Sequence, residues 1–264
     1  MNRLTALLPI HNEERNVGGI LRRTHQVAHQ MILVDDGSLD GTAKILDRFT
    51  RGRTGVYRLH LPTNRGMAGA LSAGFRFALF LRDLGELSDR DILATLDADG
   101  QHRPEHLPEG RRRMEREGWD VLLTRRDFSV YPAYKVWGNR FLTLTNSVLS
   151  GYPYRDVESG MRFIRVSALA PILRYYTGYK YSCAQEIALL SARQGLKVSN
   201  DFEVRIDYYR PGTTVKDGFI VLALSFAAFL RWRLDLPKAA PDDRALFEAS
   251  RRESRALWRG SRGR

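Results

Sequence analysis

The sequence predicts an α/β protein with a mostly parallel central sheet flanked by helices, and three observations carry that prediction. Strand-like and helix-like segments alternate through the first half of the chain, the pattern of parallel strands joined by crossover helices. Two apolar runs end in carboxylates: Met31-Ile32-Leu33-Val34 leads into Asp35-Asp36-Gly37, and Ile92-Leu93-Ala94-Thr95-Leu96 leads into Asp97-Ala98-Asp99-Gly100-Gln101. Open α/β sheets bind ligands in the crevice outside their strand ends, where such carboxylates would stand. The third observation is size: 264 residues with 43% hydrophobic content suit one domain with a real core and room for a small appendage.

Each element follows from local pattern. Residues 4–9 read as a first strand and 13–29 as a helix; 31–34 is the second strand and 42–50 the next helix, entered through a turn at Asp40-Gly41-Thr42. A third strand covers 56–61. The helix over 65–84 carries Ala68, Gly69, Ala70, Ala73 and Gly74, small residues that permit close packing on a sheet. The fourth strand, 91–96, ends at the second acidic cluster. Pro104 opens a helix that runs through Arg111-Arg112-Arg113, and 121–123 is a short strand. Beyond Arg125 the rhythm changes: loop and helix over 131–150, strand over 160–165, helix over 184–194 and a long strand over 197–208. A last amphipathic helix covers about 214–236. These elements define a domain over 1–236, followed by a basic, partly helical and poorly ordered tail over 237–264.

Composition narrows the partners. A net charge of +12 favours anionic ones: nucleic acid, an anionic membrane surface or phosphorylated substrates. The common RNA modules interleave aromatic and basic residues in motifs absent here, so nucleic acid is not expected. The single Cys183 excludes an intrachain disulfide and fits a reducing compartment. No signal-peptide pattern precedes the first strand. The apolar run 219–230 is broken only by Ser225. At about 1.5 Å per residue it is too short for a hydrocarbon core of about 30 Å. Arg231-Trp232-Arg233 follows it, an interfacial pattern. Core helix and membrane-surface contact are both open readings.

The acidic clusters point to chemistry. In extended backbone Asp97 and Asp99 point the same way. With the amide oxygen of Gln101 they form a hard, all-oxygen set suited to Mg²⁺ or Mn²⁺, whose use would be to neutralise phosphate oxygens. A single such cluster is more often a solvated turn; two strand-end clusters in this order make that reading much weaker.

The motifs Pro9-Ile10-His11-Asn12-Glu13-Glu14, Val34-Asp35-Asp36-Gly37-Ser38-Leu39-Asp40-Gly41-Thr42, Asn64-Arg65-Gly66, Leu96-Asp97-Ala98-Asp99-Gly100-Gln101-His102 and Ser159-Gly160-Met161-Arg162, closed by Arg210 and Lys216, stand in the order found in family 2 glycosyltransferases. The chain resembles that family over about residues 4–220, and within it the polyprenyl-phosphate sugar synthases typified by dolichyl-phosphate mannose synthase. The resemblance implies a GT-A fold and an inverting, metal-dependent transfer of a sugar from a nucleotide diphosphate sugar, GDP-mannose or UDP-hexose, to a polyprenyl phosphate. It implies donor contacts from Pro9, Asn12, Glu13, Asp35, Asp36 and Asp97, with Arg210 and Lys216 on a loop that closes over the diphosphate. Asp97, Asp99 and Gln101 match the metal site, and His102 takes a loop role. Arg126 and Arg140 match arginines that hold the lipid phosphate, a task suited to the planar guanidinium fork; Arg162 matches a position that pairs structurally with Asp156 or Glu158. Asp97, Asp99, Arg126 and Arg140 are the expected catalytic set.

A phosphate acceptor needs no general base, because its second pKa of about 6 leaves it dianionic near neutral pH. A hydroxyl acceptor needs a carboxylate. Members that glycosylate hydroxyls carry an acidic pair where this chain has Gln185-Glu186, so only Glu186 is available there. Glu158 replaces the threonine usual in the lipid-phosphate branch. The alternative is therefore a saccharide or small-molecule hydroxyl acceptor in cell-wall or polysaccharide synthesis. The expected location is cytoplasmic, peripheral at the inner face of the membrane.

Overall fold

The computed structural model describes residues 2–179, 182–206 and 215–259. Seven strands, β1 (Leu4–Ile10), β2 (Gln30–Asp35), β3 (Val56–His60), β4 (Ile92–Thr95), β5 (Val121–Arg126), β6 (Arg162–Arg165) and β7 (Val198–Val204), form one sheet in the order β3-β2-β1-β4-β6-β5-β7. The pairs β1–β2, β1–β4, β2–β3 and β5–β7 are parallel. β6 alone runs against its neighbours, β4 and β5.

The helices are α1 (Val17–Val27), α2 (Thr42–Thr50), α3 (Gly66–Asp83), α4 (Leu107–Glu117), α5 (Ala133–Ser150), α6 (Val166–Tyr175), α7 (Cys183–Arg193), α8 (Val215–Arg233) and α9 (Arg244–Arg259). They cover both sheet faces, so β1 is buried at every residue and reads as a continuous apolar run. Its side chains alternate between two cores. Leu4, Ala6, Leu8 and Ile10 pack with Leu21, Leu46 and Met114 from α1, α2 and α4. Leu7 packs with Phe77, Leu169 and Ile187 from α3, α6 and α7. The small residues of α3 do what their size suggests: a Cβ on Gly74 would stand 2.4 Å from Leu7 Cδ1, so only glycine allows this approach to β1.

The reversed β6 builds the crevice. In this register Arg162 pairs with Thr95 of β4 and with Leu123 of β5. The start of β6 therefore meets the C-terminal ends of β4 and β5 at the edge where β1 and β2 also end.

Four expectations need correction. The first helix starts at Val17 rather than at 13, because Asn12 adopts a left-handed conformation (φ 53°) and Glu13–Asn16 form a turn. The strand predicted over 197–208 ends at Val204; beyond it, Ile206 forms an isolated antiparallel bridge with His102, and 207–208 lie outside the described residues. α6 has no counterpart in the sequence reading, since Pro171 in its interior masks it.

The fourth concerns the C-terminus, where composition predicts a poorly ordered extension. Instead α9 docks on β3 and α3. Phe247 is buried against Phe77 and Phe80. Arg251 Nε donates to Glu86 Oε1 (2.5 Å), and Asp243 just before the helix accepts from Arg65 (3.1 Å) and Arg76. The helix agrees with the partly helical expectation; what differs is that it is docked, and 260–264 lie outside the described residues. We therefore expect Phe247→Ala to cost about 3–5 kcal/mol in urea denaturation of the full chain; an unchanged midpoint would mean that α9 is undocked in solution.

Candidate active site

Loops after β1, β2 and β3 meet at one edge of the sheet. Asn12 stitches the first two: its N–H donates to Ser38 Oγ (3.0 Å) and its Oδ1 accepts from Leu39 N (2.8 Å). Asparagine tolerates the left-handed backbone this requires. Glu13 N donates to Thr42 Oγ1 (2.9 Å), and Glu13 Oε2 accepts from Asn16 Nδ2 (2.8 Å). Gly37 (φ 65°) lets the β2 loop touch the β3 loop: a Cβ there would stand 2.8 Å from Asn64 N. Pro9 lies within β1, one residue before its end.

The two aspartates after β2 differ. Asp35 is fully buried, and both its oxygens are engaged, Oδ1 by Ser38 N (3.1 Å) and Oδ2 by His60 Nδ1 (2.7 Å). Asp36 Oδ1 accepts from Arg65 N (2.7 Å). Burial pushes the Asp36 carboxyl up, against the lowering pull of the Arg65 and Gly66 amides. Asp35 thus organises the loop, and His60 carries that organisation toward solvent.

At the end of β4, Asp97 is half-buried. Its Oδ2 lies 3.3 Å from His102 Nδ1, and neither ring nitrogen of this buried imidazole makes a hydrogen bond. A Cβ on Gly160 would stand 2.2 Å from Asp97 Oδ2 and 2.6 Å from His102 Cε1, so the start of β6 presses on this carboxylate with no room for a side chain. Asp99 accepts from Gln101 N (2.9 Å) and Gln101 Nε2 (2.6 Å). Burial raises Asp97, but His102, Arg162 and Arg126 more than offset that and hold it below the usual carboxylate value. Asp99 is raised, by burial first and by the charge of Asp97 second.

This donor set fits a divalent cation. Two carboxylates repel each other across a partly buried edge, and the Gln101 amide, donating through Nε2, has its oxygen left as a neutral ligand. Among the described residues no group of three His, Cys, Asp or Glu could hold a metal ion.

The other half of the crevice is cationic. Arg126 at the end of β5 is clamped by Asp156: Nε donates to Oδ2 and Nη2 to Oδ1, both at 2.9 Å, and the backbone N–H adds a third bond at 3.0 Å. Nη2 also reaches Asn139 Oδ1 (2.5 Å). Burial pushes the Asp156 carboxyl up, but Arg126 carries it below its ordinary value.

Arg162 differs. It is 3% exposed, makes no ion pair or hydrogen bond among the described residues, and leaves its Nε without an acceptor. The pairing expected for Arg162 with Asp156 or Glu158 belongs to Arg126. Of the expected catalytic set, Arg140 makes no hydrogen bond with Arg126 among the described residues. It is exposed on α5, over the Trp137 ring at 5.7 Å. Arg210 and the side chain of Lys216 lie outside the described residues.

Two glutamates complete the wall. Glu186 is fully buried and accepts from Thr177 N and Oγ1 (2.5 Å each) and from Ser182 Oγ, so it holds the entry to α7 rather than facing a substrate. Glu158 is half-buried; Gln185 Nε2 donates to its Oε1 (2.5 Å), and Asn146 Nδ2 in turn holds Gln185 Oε1 (2.7 Å). Burial raises the Glu158 carboxyl. Asn139 and His60 were missed by sequence reading, and Asp156 was read as a partner of Arg162 rather than of Arg126. Asp156, three residues before Ser159-Gly160 in a chain rich in arginine, was the one legible signal.

Comparison with known proteins agrees with this geometry. A family model described as Glycosyl transferase family 2 matches residues 5–173. An uncharacterized protein of Methanocaldococcus jannaschii is 28% identical over 213 residues, 78% of this chain and 89% of its own. The undecaprenyl-phosphate 4-deoxy-4-formamido-L-arabinose transferase of Pseudomonas paraeruginosa is 32% identical over 179 residues, 64% of this chain. The chain spans about half the length of that transferase, 49%. Among solved structures, glucosyl-3-phosphoglycerate synthase from Mycobacterium tuberculosis with Mn²⁺, UDP-glucose and phosphoglyceric acid superposes with a TM-score of 0.61 at 17% identity, covering 90% of this chain and 82% of that one. This likeness shows the fold, which is GT-A.

The Asp156 clamp makes a prediction. Asp156→Asn leaves Arg126 buried without its counter-charge and should cost about 3–5 kcal/mol of stability at neutral pH in urea denaturation. Because the folded Asp156 carboxyl is lowered, its contribution is present above the ordinary carboxylate pKa and lost as pH falls through the lowered value. The gap between wild type and variant should therefore close in acid.

Proposed function

Because the chain belongs to glycosyl transferase family 2, and so is a glycosyltransferase, we propose that it moves a sugar from a nucleoside diphosphate sugar, GDP-mannose or a UDP-hexose, to the phosphate of a polyprenyl carrier, with inversion. The observation that carries the acceptor assignment is Arg162. Its Nε is buried without an acceptor, while its charge already acts on Asp97 and Glu158; an anion supplied by a substrate would give the guanidinium the acceptor it lacks. The relatives named as undecaprenyl-phosphate sugar transferases support a lipid phosphate as that anion.

In this reading Pro9, Asn12, Glu13 and Asp36 contact the nucleoside, with Asp35 and His60 fixing the loop beneath it. Asp97, Asp99 and Gln101 would hold Mg²⁺ or Mn²⁺, which supplies neutralising charge for the diphosphate; structural neighbours were crystallised with both metals. Arg162 orients the acceptor phosphate, and Arg126, locked by Asp156, positions the strand end around it. A phosphate oxygen, already a nucleophile near neutral pH, attacks the anomeric carbon as the bond to the nucleoside diphosphate breaks. Arg210 and Lys216 close over the donor.

One observation favours a second reading. Glu158, with one oxygen fixed by Gln185 and its carboxyl raised by burial, has the character of a general base for a hydroxyl acceptor. Glu186 does not, since its oxygens are taken.

The test is transfer from a panel of labelled nucleotide sugars to undecaprenyl phosphate and to free saccharides, with and without EDTA. We expect label in a lipid-soluble product, abolished by EDTA and lowered about a hundredfold or more by Arg162→Gln. Glu158→Gln should retain turnover; loss of turnover with donor binding intact would instead establish the hydroxyl acceptor. Mn²⁺ with UDP or GDP should raise the melting temperature, and Asp99→Ala should remove the metal-dependent part. Since the Asp99 carboxyl is raised, protons compete with the cation, and the shift should grow as pH rises through that raised value.

A further inference from the structure

The helix α5 is amphipathic the wrong way round. Its inward positions are polar: Asn139, Thr143, Asn146 and Ser150 are buried. Its outward positions are large and apolar: Tyr134, Trp137 (69% exposed), Phe141, Leu144 and Val148 (71%). Their spacing of three and four residues makes one continuous stripe opposite the buried one. The polar inner face has its reason, because Asn139 reaches Arg126 and Asn146 reaches Gln185 in the wall of the active site. The apolar outer face has no partner in the described fold, and its five-residue length far exceeds the scattered exposure normal for a surface.

The stripe does not stand alone. α8 packs on α5 and α7. It buries Val221, Ser225 and Ala228 and exposes Phe219 (70%), Phe226 and Leu230. Arg193 of α7 locks the arrangement, donating to Leu149 O of α5 (2.7 Å) while lying over the Phe229 and Trp232 rings of α8. The two neighbouring helices thus each turn an apolar stripe away from the domain. Charge defines the occupant. α5 carries Lys135 and Arg140 and no carboxylate; the last turn of α8 carries Arg231 and Arg233. No helix among the described residues is long and apolar enough to cross a membrane.

We propose that the outer faces of α5 and α8 form one docking surface for an anionic lipid bilayer, with the apolar stripes seated among the acyl chains and the arginines and lysines at the headgroups. Aromatic residues beside cations suit that boundary, and basic residues near an anionic surface are attracted to it. The surface lies one helix away from the acceptor site: Asn139 on the inner side of α5 holds Arg126, while Trp137 and Phe141 face outward. It rests on these side chains and not on the acceptor assignment.

The test uses the full chain and vesicles free of polyprenyl phosphate, made of phosphatidylcholine with or without phosphatidylglycerol. Co-sedimentation should require phosphatidylglycerol and weaken with added salt. Trp137→Glu with Phe141→Glu, and separately Phe226→Glu, should each lower the vesicle affinity by about tenfold or more, with melting temperatures unchanged because the sites are exposed. Failure of the wild-type chain to sediment, or equal sedimentation of the α5 variant, overturns the proposal. So does a dimer in light scattering that the α5 variant dissociates, which would make a second copy the occupant. Vesicle binding without sugar transfer would count against the acceptor reading alone, and transfer without vesicle binding against the docking surface alone.

Discussion

The carboxylate of Asp156 ties together three segments at the mouth of the crevice. It takes both arms of the Arg126 guanidinium at the end of β5, the Asn139 amide from α5 (3.3 Å) and the backbone N–H of Glu158 in the loop before β6. Asn200 of β7 secures its backbone from both sides, accepting from Asp156 N (3.0 Å) and donating to Asp156 O (2.9 Å). Burying two opposite charges carries a large desolvation penalty, tolerable only when the remaining polar valences are filled. Here they are filled from every side. The reversed strand β6, the inverted helix α5 and the unpaired Arg162 are all arranged around that knot.

The knot divides the cations by role. Arg126 is hydrogen-bonded to its counter-charge and serves as scaffold, whereas Arg162 makes no salt bridge among the described residues and acts only at longer range on Asp97 and Glu158. The carboxylates divide in the same way. Asp97 is kept ionised by the positive charges around it, while Asp99 is pushed toward protonation by burial and by Asp97 itself. A crevice with one electropositive wall and one pair of mutually repelling carboxylates favours an anion and a cation together over either alone.

The sheet, most of the helices and the two acidic strand ends were legible because each depends on local periodicity or on a few adjacent residues. What escaped depends on distance. Nothing near Arg126 in sequence says that Asp156 will claim it, and the register of a reversed strand decides which arginine is left over. The orientation of α5 depends on distance too: its inner face is polar because what it packs on is the polar wall of the site. α9 escaped because a basic composition hides an amphipathic face whose partner, β3, lies about 190 residues earlier.

That separation gives the docked C-terminal helix a meaning for how the protein comes into being. Asp243 anchors Arg65, whose backbone N–H holds Asp36 at the nucleoside end of the crevice. Ribosomes deliver the N-terminal sheet long before Asp243 emerges, and contacts so remote in sequence form late. The substrate loop therefore stays without its anchor until the segment that carries Asp243 has been made and has docked.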